Sequence, residues 1–93
     1  PQGFWPNYMG GLIAAHADQH ARCINRMNEA LAIIPESPIG VYYMAHSNDK
    51  LNRKQEAIDY YTQAWALFGG QGQYAEASRE RLIALGATDP AKQ

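Results

Sequence analysis

The chain has 93 residues, of which 46% are hydrophobic, and its eight basic and nine acidic residues leave a formal net charge of −1. This composition is ordinary for one small globular domain. It argues against nucleic-acid binding, which concentrates Lys and Arg on one face, because the densest basic cluster is only Lys50, Arg53 and Lys54. No apolar run approaches the ~18 residues of a membrane span, so we expect no membrane insertion.

The two ends and the single cysteine say little about where the protein works. The chain opens on Pro1-Gln2-Gly3 without an initiator methionine, which suggests a processed protein or an excised fragment. The lone Cys23 excludes an internal disulfide framework, so an oxidising compartment is neither required nor excluded. The compartment is not identified, and the cytoplasm is the default preference.

The first predicted unit is a pair of helices joined by a turn at Asp18 and ended by Pro35. The core face of its first helix is predicted to carry Met9, Leu12 and Ile13. The core face of its second helix follows the 3.6-residue period through Ile24, Met27, Leu31 and Ile34.

The second predicted unit has the same organisation. Ser37 supplies an N-cap hydroxyl and Pro38 a first helical residue, while Asn52 and Gln55 resemble a capping box. Gly69 ends the unit. Its two helices have predicted core faces formed by Val41, Met44 and Ala45, and by Ala57, Ile58, Tyr61, Ala64, Trp65 and Phe68.

A last helix is predicted after a glycine-rich loop that begins at Gly69. The loop lacks the Gly-Lys-Ser/Thr ending of a phosphate loop, so we interpret it as a helix stop. The apolar stripe of the last helix, which would cover the second unit, consists of Tyr74, Ala77, Ser78, Leu82 and Leu85. Its charged face, predicted to meet solvent, consists of Glu76, Arg79, Glu80 and Arg81.

The two units match each other at a shift of 34 residues. The identical pairs are Tyr8 and Tyr42, Ile24 and Ile58, Ala30 and Ala64, and Ala32 and Ala66. Size class is also kept: Gly11 matches Ala45 and Cys23 matches Ala57. With Ala57-x3-Tyr61-x2-Ala64 in the second helix, this pattern resembles the tetratricopeptide repeat (TPR) family. The Trp and Leu-Gly signature of that family's first helix is missing, and a Sel1-like or other α-hairpin repeat stays open.

The resemblance implies an all-α fold, a right-handed α-α superhelix of two helix-turn-helix repeats and a capping helix. It makes residues 4–86 one domain, with repeats at about 4–37 and 38–71, a capping helix at about 73–86, and a tail at 87–93. TPR domains bind peptides or partner proteins in a groove lined by their first helices. Carried onto this chain, that groove would consist of Tyr8, Leu12, Tyr42, His46, Asp49 and Lys50.

The expected function is therefore a non-catalytic protein-protein interaction without a cofactor. The aromatic, nearly neutral groove favours an apolar or aromatic peptide and lacks the Lys and Asn of the chaperone-carboxylate clamp. Two alternatives stay open: a self-association module that forms homo-oligomers, and a regulatory segment of a larger enzyme or transcription factor. Tyr42 is expected to be only partly covered, whereas Tyr43 and Tyr60 are not assigned to either face.

One cluster of reactive residues has a sharper interpretation. His16, His20 and Cys23 fall at i, i+4 and i+7, a spacing that could place three zinc ligands on one helical face. The expected turn at Asp18 would break that face, and Cys23 matches Ala57 as a small packing residue. No orienting third group or catalytic motif accompanies Cys23. We therefore expect neither a metal site nor catalysis.

Overall fold

The structure, a computed structural model, describes residues 3–92 and contains helices but no strand in that range. The all-α class predicted from the sequence is confirmed. The elements are α1 (Phe4–His16), α2 (His20–Ile33), α3 (Pro38–Lys50), α4 (Lys54–Leu67), α5 (Gln73–Ala84) and a final 3₁₀ turn (Pro90–Lys92). Within the described range, none of the helices has both the length and the apolar character needed to cross a bilayer.

The helices stack in chain order. Each one packs against the next, and α3 also contacts α1 and α5. The first helix of each predicted unit therefore lies beside the first helix of the next, and α2 and α4 pack behind them. The molecule is elongated, with extents of 40 × 25 × 19 Å, as expected for layers that contact only their neighbours.

The turns repeat with the same 34-residue period as the sequence. Asp18, Asn52 and Gly86 have positive φ angles of 58°, 61° and 87°, each 34 positions after the last. The amide after each one donates to the carbonyl five residues earlier, a Schellman-type closure. These bonds run from Gln19 to Ala14 at 2.8 Å, from Arg53 to Asn48 at 2.9 Å, and from Ala87 to Leu82 at 2.9 Å. The turn that follows α5 is thus equivalent to the turns that follow α1 and α3.

The core lies between the two helical layers. One buried cluster comprises Ile24, Met27, Ala30 and Met44, and the next comprises Ala45, Ala57, Tyr61 and Leu82. The predicted core face of α3 is confirmed. The stripe of α4 is confirmed at Ala57, Tyr61 and Ala64, whereas Ile58, Trp65 and Phe68 are only half-buried. Tyr60 packs against both clusters.

The predicted core face of α1 is wrong at Met9 and Ile13, whereas Leu12 is half-buried and packs against the first core cluster. Met9 and Ile13 are 49% and 66% exposed, and the residues that α1 buries are Asn7, Gly11, Ala14 and Ala15. Small residues let α2 approach closely, because a Cβ on Gly11 would lie 2.8 Å from the terminal carbon of Met27. The face of α1 that is buried is therefore the one whose small residues allow the backbones of α1 and α2 to come close.

Two predicted helix ends have a different chemistry from the one expected. Asn52 and Gln55 form no capping box, because the backbone of Asn52 is in the left-handed region and the N-cap of α4 is Arg53. No side chain makes a capping hydrogen bond to that helix. The side-chain amide of Gln55 instead donates to the Asp59 carboxylate at 3.0 Å. Ser37 and Pro38 do occupy the N-cap and first positions of α3, but the Ser37 hydroxyl makes no capping bond.

Residues 87–92, which the sequence predicted as part of a tail outside the domain, stay in contact with it. Ala87 packs against the second core cluster, and Asp89 accepts two hydrogen bonds from the Arg79 guanidinium at 2.9 Å each. The chain therefore folds back onto α5 as far as Lys92, and Gln93 lies outside the described residues.

The close-approach position changes character in α5. Gly11 and Ala45 occupy this position in α1 and α3, and Arg79 stands 34 positions after Ala45. A large, charged side chain there prevents another helix from packing as closely as α2 packs on α1. At this position α5 therefore differs from α1 and α3, and its residue bonds to Asp89 instead.

Candidate functional site: a cleft between α3 and α5

A cavity lies between α3, α4 and α5. It is an open cleft of about 520 Å³, within the size range of ordinary ligand sites. Its lining consists of Tyr42, His46, Asp49, Lys50, Asn52, Tyr61, Ala77, Glu80 and Arg81.

Four of the six predicted groove residues, those contributed by α3, meet in this cleft. Tyr8 and Leu12 are not part of its lining. Both are half-buried on α1 and pack against the first core cluster, and Tyr8 stacks on Phe4 with ring centroids 5.1 Å apart. The structure therefore divides the predicted groove into an α3 part, which forms a cavity, and an α1 part, which packs against the core.

Tyr42 forms the aromatic wall of the cleft. Its ring centroid lies 5.0 Å from that of Tyr74 on α5, 6.0 Å from that of Tyr61 on α4, and 5.2 Å from that of Tyr43. Such edge contacts each stabilise by about 0.5–1.5 kcal/mol beyond the area they bury. Tyr42 is therefore part of the packing between three helices as well as part of the cleft, which the sequence did not indicate.

The floor of the cleft is a charged hydrogen-bond network around Asp49. Arg81 donates from Nε at 2.8 Å and from Nη2 at 3.0 Å to the two carboxylate oxygens. The buried Tyr61 hydroxyl donates to the same carboxylate at 2.9 Å. Burial raises the pKa of Asp49, but the hydrogen bonds from Arg81 and Tyr61 outweigh it and hold that pKa below its ordinary value. Asp49 is thus an ionised anchor that joins α3, α4 and α5.

The charged side chains that line the cleft balance one another. Lys50 and Arg81 are positive, and Asp49 and Glu80 are negative. Burial lowers the pKa of His46, and the neighbouring His20 and Lys50 lower it further, so its imidazole is neutral near pH 7. A neutral ring and a compensated ion pair leave a cleft with aromatic walls and no excess charge.

The α5 side of the cleft was not anticipated. Sequence reasoning placed Arg81 on a solvent face, yet it reaches across 32 residues to Asp49. The 34-residue repeat would have indicated that Arg81 faces the preceding unit. Arg81 stands 34 positions after Ser47, which faces the preceding unit and contacts His20 at 3.0 Å. A residue in that register on α5 faces α3 and α4 in the same way.

The histidine–cysteine group is dispersed by the predicted turn. His16 ends α1 and His20 begins α2, and among the described residues no three His, Cys, Asp or Glu side chains are placed to hold a metal ion. Cys23 is fully buried, and that burial raises the pKa of its thiol. The thiol is therefore not accessible to a substrate. The ring of His20 contacts the buried Ser47 hydroxyl at 3.0 Å.

Comparison of the chain with known protein families, with curated proteins and with solved structures finds no match.

Proposed function

We propose that the chain is a non-catalytic peptide-binding module of the tetratricopeptide type, in which the cleft between α3 and α5 receives an apolar or aromatic side chain of a partner protein. The observation that carries the proposal is the cleft itself, in which residues of two first helices and one second helix meet around Tyr42 and Asp49. The 34-residue recurrence of the left-handed turn in three helix ends supports the assignment to that type of repeat.

The chemistry of the walls supports a peptide over a charged ligand. Tyr42 contributes a half-buried ring, the ring of Tyr61 is buried behind the wall, and Ala77 adds a small side chain. Aromatic pockets bordered by polar groups are typical of the central anchors of protein interfaces. Asp49 is already neutralised by Arg81, so a cationic ligand would have to replace a bidentate hydrogen-bonded pair.

The buried state of Cys23 and Ser47 supports the non-catalytic part of the proposal. A nucleophile needs access to its substrate and an activated, deprotonated form. Cys23 has neither, because it is covered and its pKa is raised by burial.

Selection from a random peptide library displayed on phage tests the proposal. We expect enriched peptides to contain an aromatic or large aliphatic residue, and their binding to be lost when Ala77→Glu fills the cleft. The matched control is Ala84→Glu, which puts the same side chain at an exposed position on the same helix. The proposal fails if no peptide is enriched, or if both variants retain the same binders.

A further inference from the structure

A second surface of the molecule lies at the α1 end of the stack. Trp5, Met9 and Ile13 recur at four-residue spacing on α1 and are 66%, 49% and 66% exposed. No residue from Phe4 to His16 is an Asp, Glu, Lys or Arg, so this apolar stripe has no charge on its own helix. An exposed stripe of this kind is typical of an interaction site.

The repeat register shows what kind of element fits the stripe. The equivalent positions on α3 are Ile39, Tyr43 and Ser47, each 34 residues further on. Two of them contact α2: the Cys23 thiol lies 3.9 Å from the Tyr43 carbonyl, and the His20 ring contacts the Ser47 hydroxyl at 3.0 Å. In the repeating architecture, this face of a first helix therefore packs against an α-helix.

A basic border runs beside the stripe. A cleft of about 270 Å³ adjoins it, lined by Gly10, Ile13, Ala14, Gln19, Arg22 and Arg26. The border is specific to this end, because the position equivalent to Arg26 in the second unit is Tyr60, which packs under α2. Arg26 donates to the side-chain oxygen of Asn7 at 3.3 Å, and Arg22 is exposed.

We propose that this end surface docks an amphipathic α-helix of a partner protein that carries acidic residues along one flank of its apolar stripe. The apolar residues of the helix would cover Trp5, Met9 and Ile13 as α2 covers α3, and its carboxylates would face Arg22 and Arg26. A second copy of the chain fits less well. The stripe and the lining of the adjoining cleft contain two arginines and no Asp or Glu, so pairing this surface with itself would leave both arginines without a carboxylate from it. Charge complementarity therefore selects the acidic partner.

Two designed 18-residue peptides, acetylated and amidated, test the proposal. Both carry leucines at i, i+3, i+4 and i+7, and they differ only in a flank of glutamates or of lysines. Fluorescence anisotropy should show the glutamate peptide binding at least tenfold more tightly, with an affinity that falls as salt is added. Equal affinities, or no binding of the glutamate peptide at millimolar concentration, would overturn the proposal.

Variants locate the binding on the surface. Ile13→Glu and Arg22→Glu should each weaken the glutamate peptide at least tenfold, while Ile83→Glu, at another exposed isoleucine, should leave it within twofold. Circular dichroism checks that each variant is folded. If Ile13→Glu is unfolded, the affinity of Arg22→Glu for the glutamate peptide decides the test. Equal effects of the three variants would overturn the proposal. So would sedimentation equilibrium showing a dimer that Ile13→Glu dissociates, since the occupant would then be a second copy.

Discussion

Arg81 on α5 and Asp49 on α3, which are 32 residues apart in sequence, form a bidentate hydrogen-bonded ion pair with N–O distances of 2.8 and 3.0 Å. Asp49 is 13% exposed and Arg81 46% exposed. The pair is therefore only partly screened by solvent, and it connects α5 to α3 at the floor of the cleft.

Removal of this guanidinium should loosen α5. We expect Arg81→Met to lower the free energy of unfolding by about 1–2 kcal/mol, since Asp49 keeps its bond from Tyr61 but loses two charge-assisted ones and solvent partly compensates. Urea denaturation measures the change. Arg53→Met, which removes an exposed guanidinium, should stay within about 0.5 kcal/mol of the parent protein. Equal losses would mean that the ion pair is not stabilising.

The pKa of His46 reports the environment of the cleft. We expect NMR titration to place it below the ordinary value of 6.5, because burial, His20 and Lys50 all oppose protonation. The unfolded chain then binds the proton more readily, so this histidine makes stability fall as pH drops through about 6.5 toward the lower folded pKa. Lys50→Gln should raise the pKa of His46. A value at or above 6.5 in the parent protein would contradict the described burial.

Ala64 tests the crossing of the helices. It is fully buried, and Ala64→Leu adds three heavy atoms to a close contact, which should cost about 1–3 kcal/mol of stability. Ala66→Leu makes the same change at an exposed position of α4 and should stay within about 0.5 kcal/mol. Thermal melts of the two variants should differ clearly. Matching melting temperatures would show that Ala64 does not lie at a tight crossing.

The fold-back of the tail should depend on Asp89. Its carboxylate accepts bonds from Arg79 and from the Ala91 amide, the latter at 2.9 Å. Asp89→Asn should therefore speed hydrogen exchange at Ala91. Glu76→Gln, which alters only the Arg79–Glu76 contact of 3.2 Å, should leave that exchange rate unchanged. An unchanged rate in Asp89→Asn would place the tail free of α5.

The sequence predicted the second unit better than the first because the packing signals differ in strength. Ala57, Tyr61 and Ala64 alternate small and large residues at helical spacing, so their buried face could be identified directly. In α1 the small residues themselves are the contact, and hydrophobicity alone selected Met9 and Ile13, which are exposed.

The candidate site was predictable only in part for a similar reason. The α3 side followed from the position of Tyr42 and its neighbours in the repeat. The α5 side depends on Arg81, whose partner lies a whole repeat away, and long-range charge pairs leave no local pattern. Tyr42 is half-buried, in line with the expectation that it is only partly covered, but the sequence did not indicate that its ring contacts three other tyrosine rings.

The central claim is that the cleft between α3 and α5 binds a peptide segment of a partner. Its most direct test is titration of the isotope-labelled protein with a selected peptide, followed by two-dimensional amide NMR. We predict that the largest shift changes fall on residues 46–50 of α3 and on Ala77 and Arg81 of α5, with little change at Met9 and Ile13. Largest changes outside the cleft, at the α1 end or on the outer faces of α2 and α4, would contradict the claim.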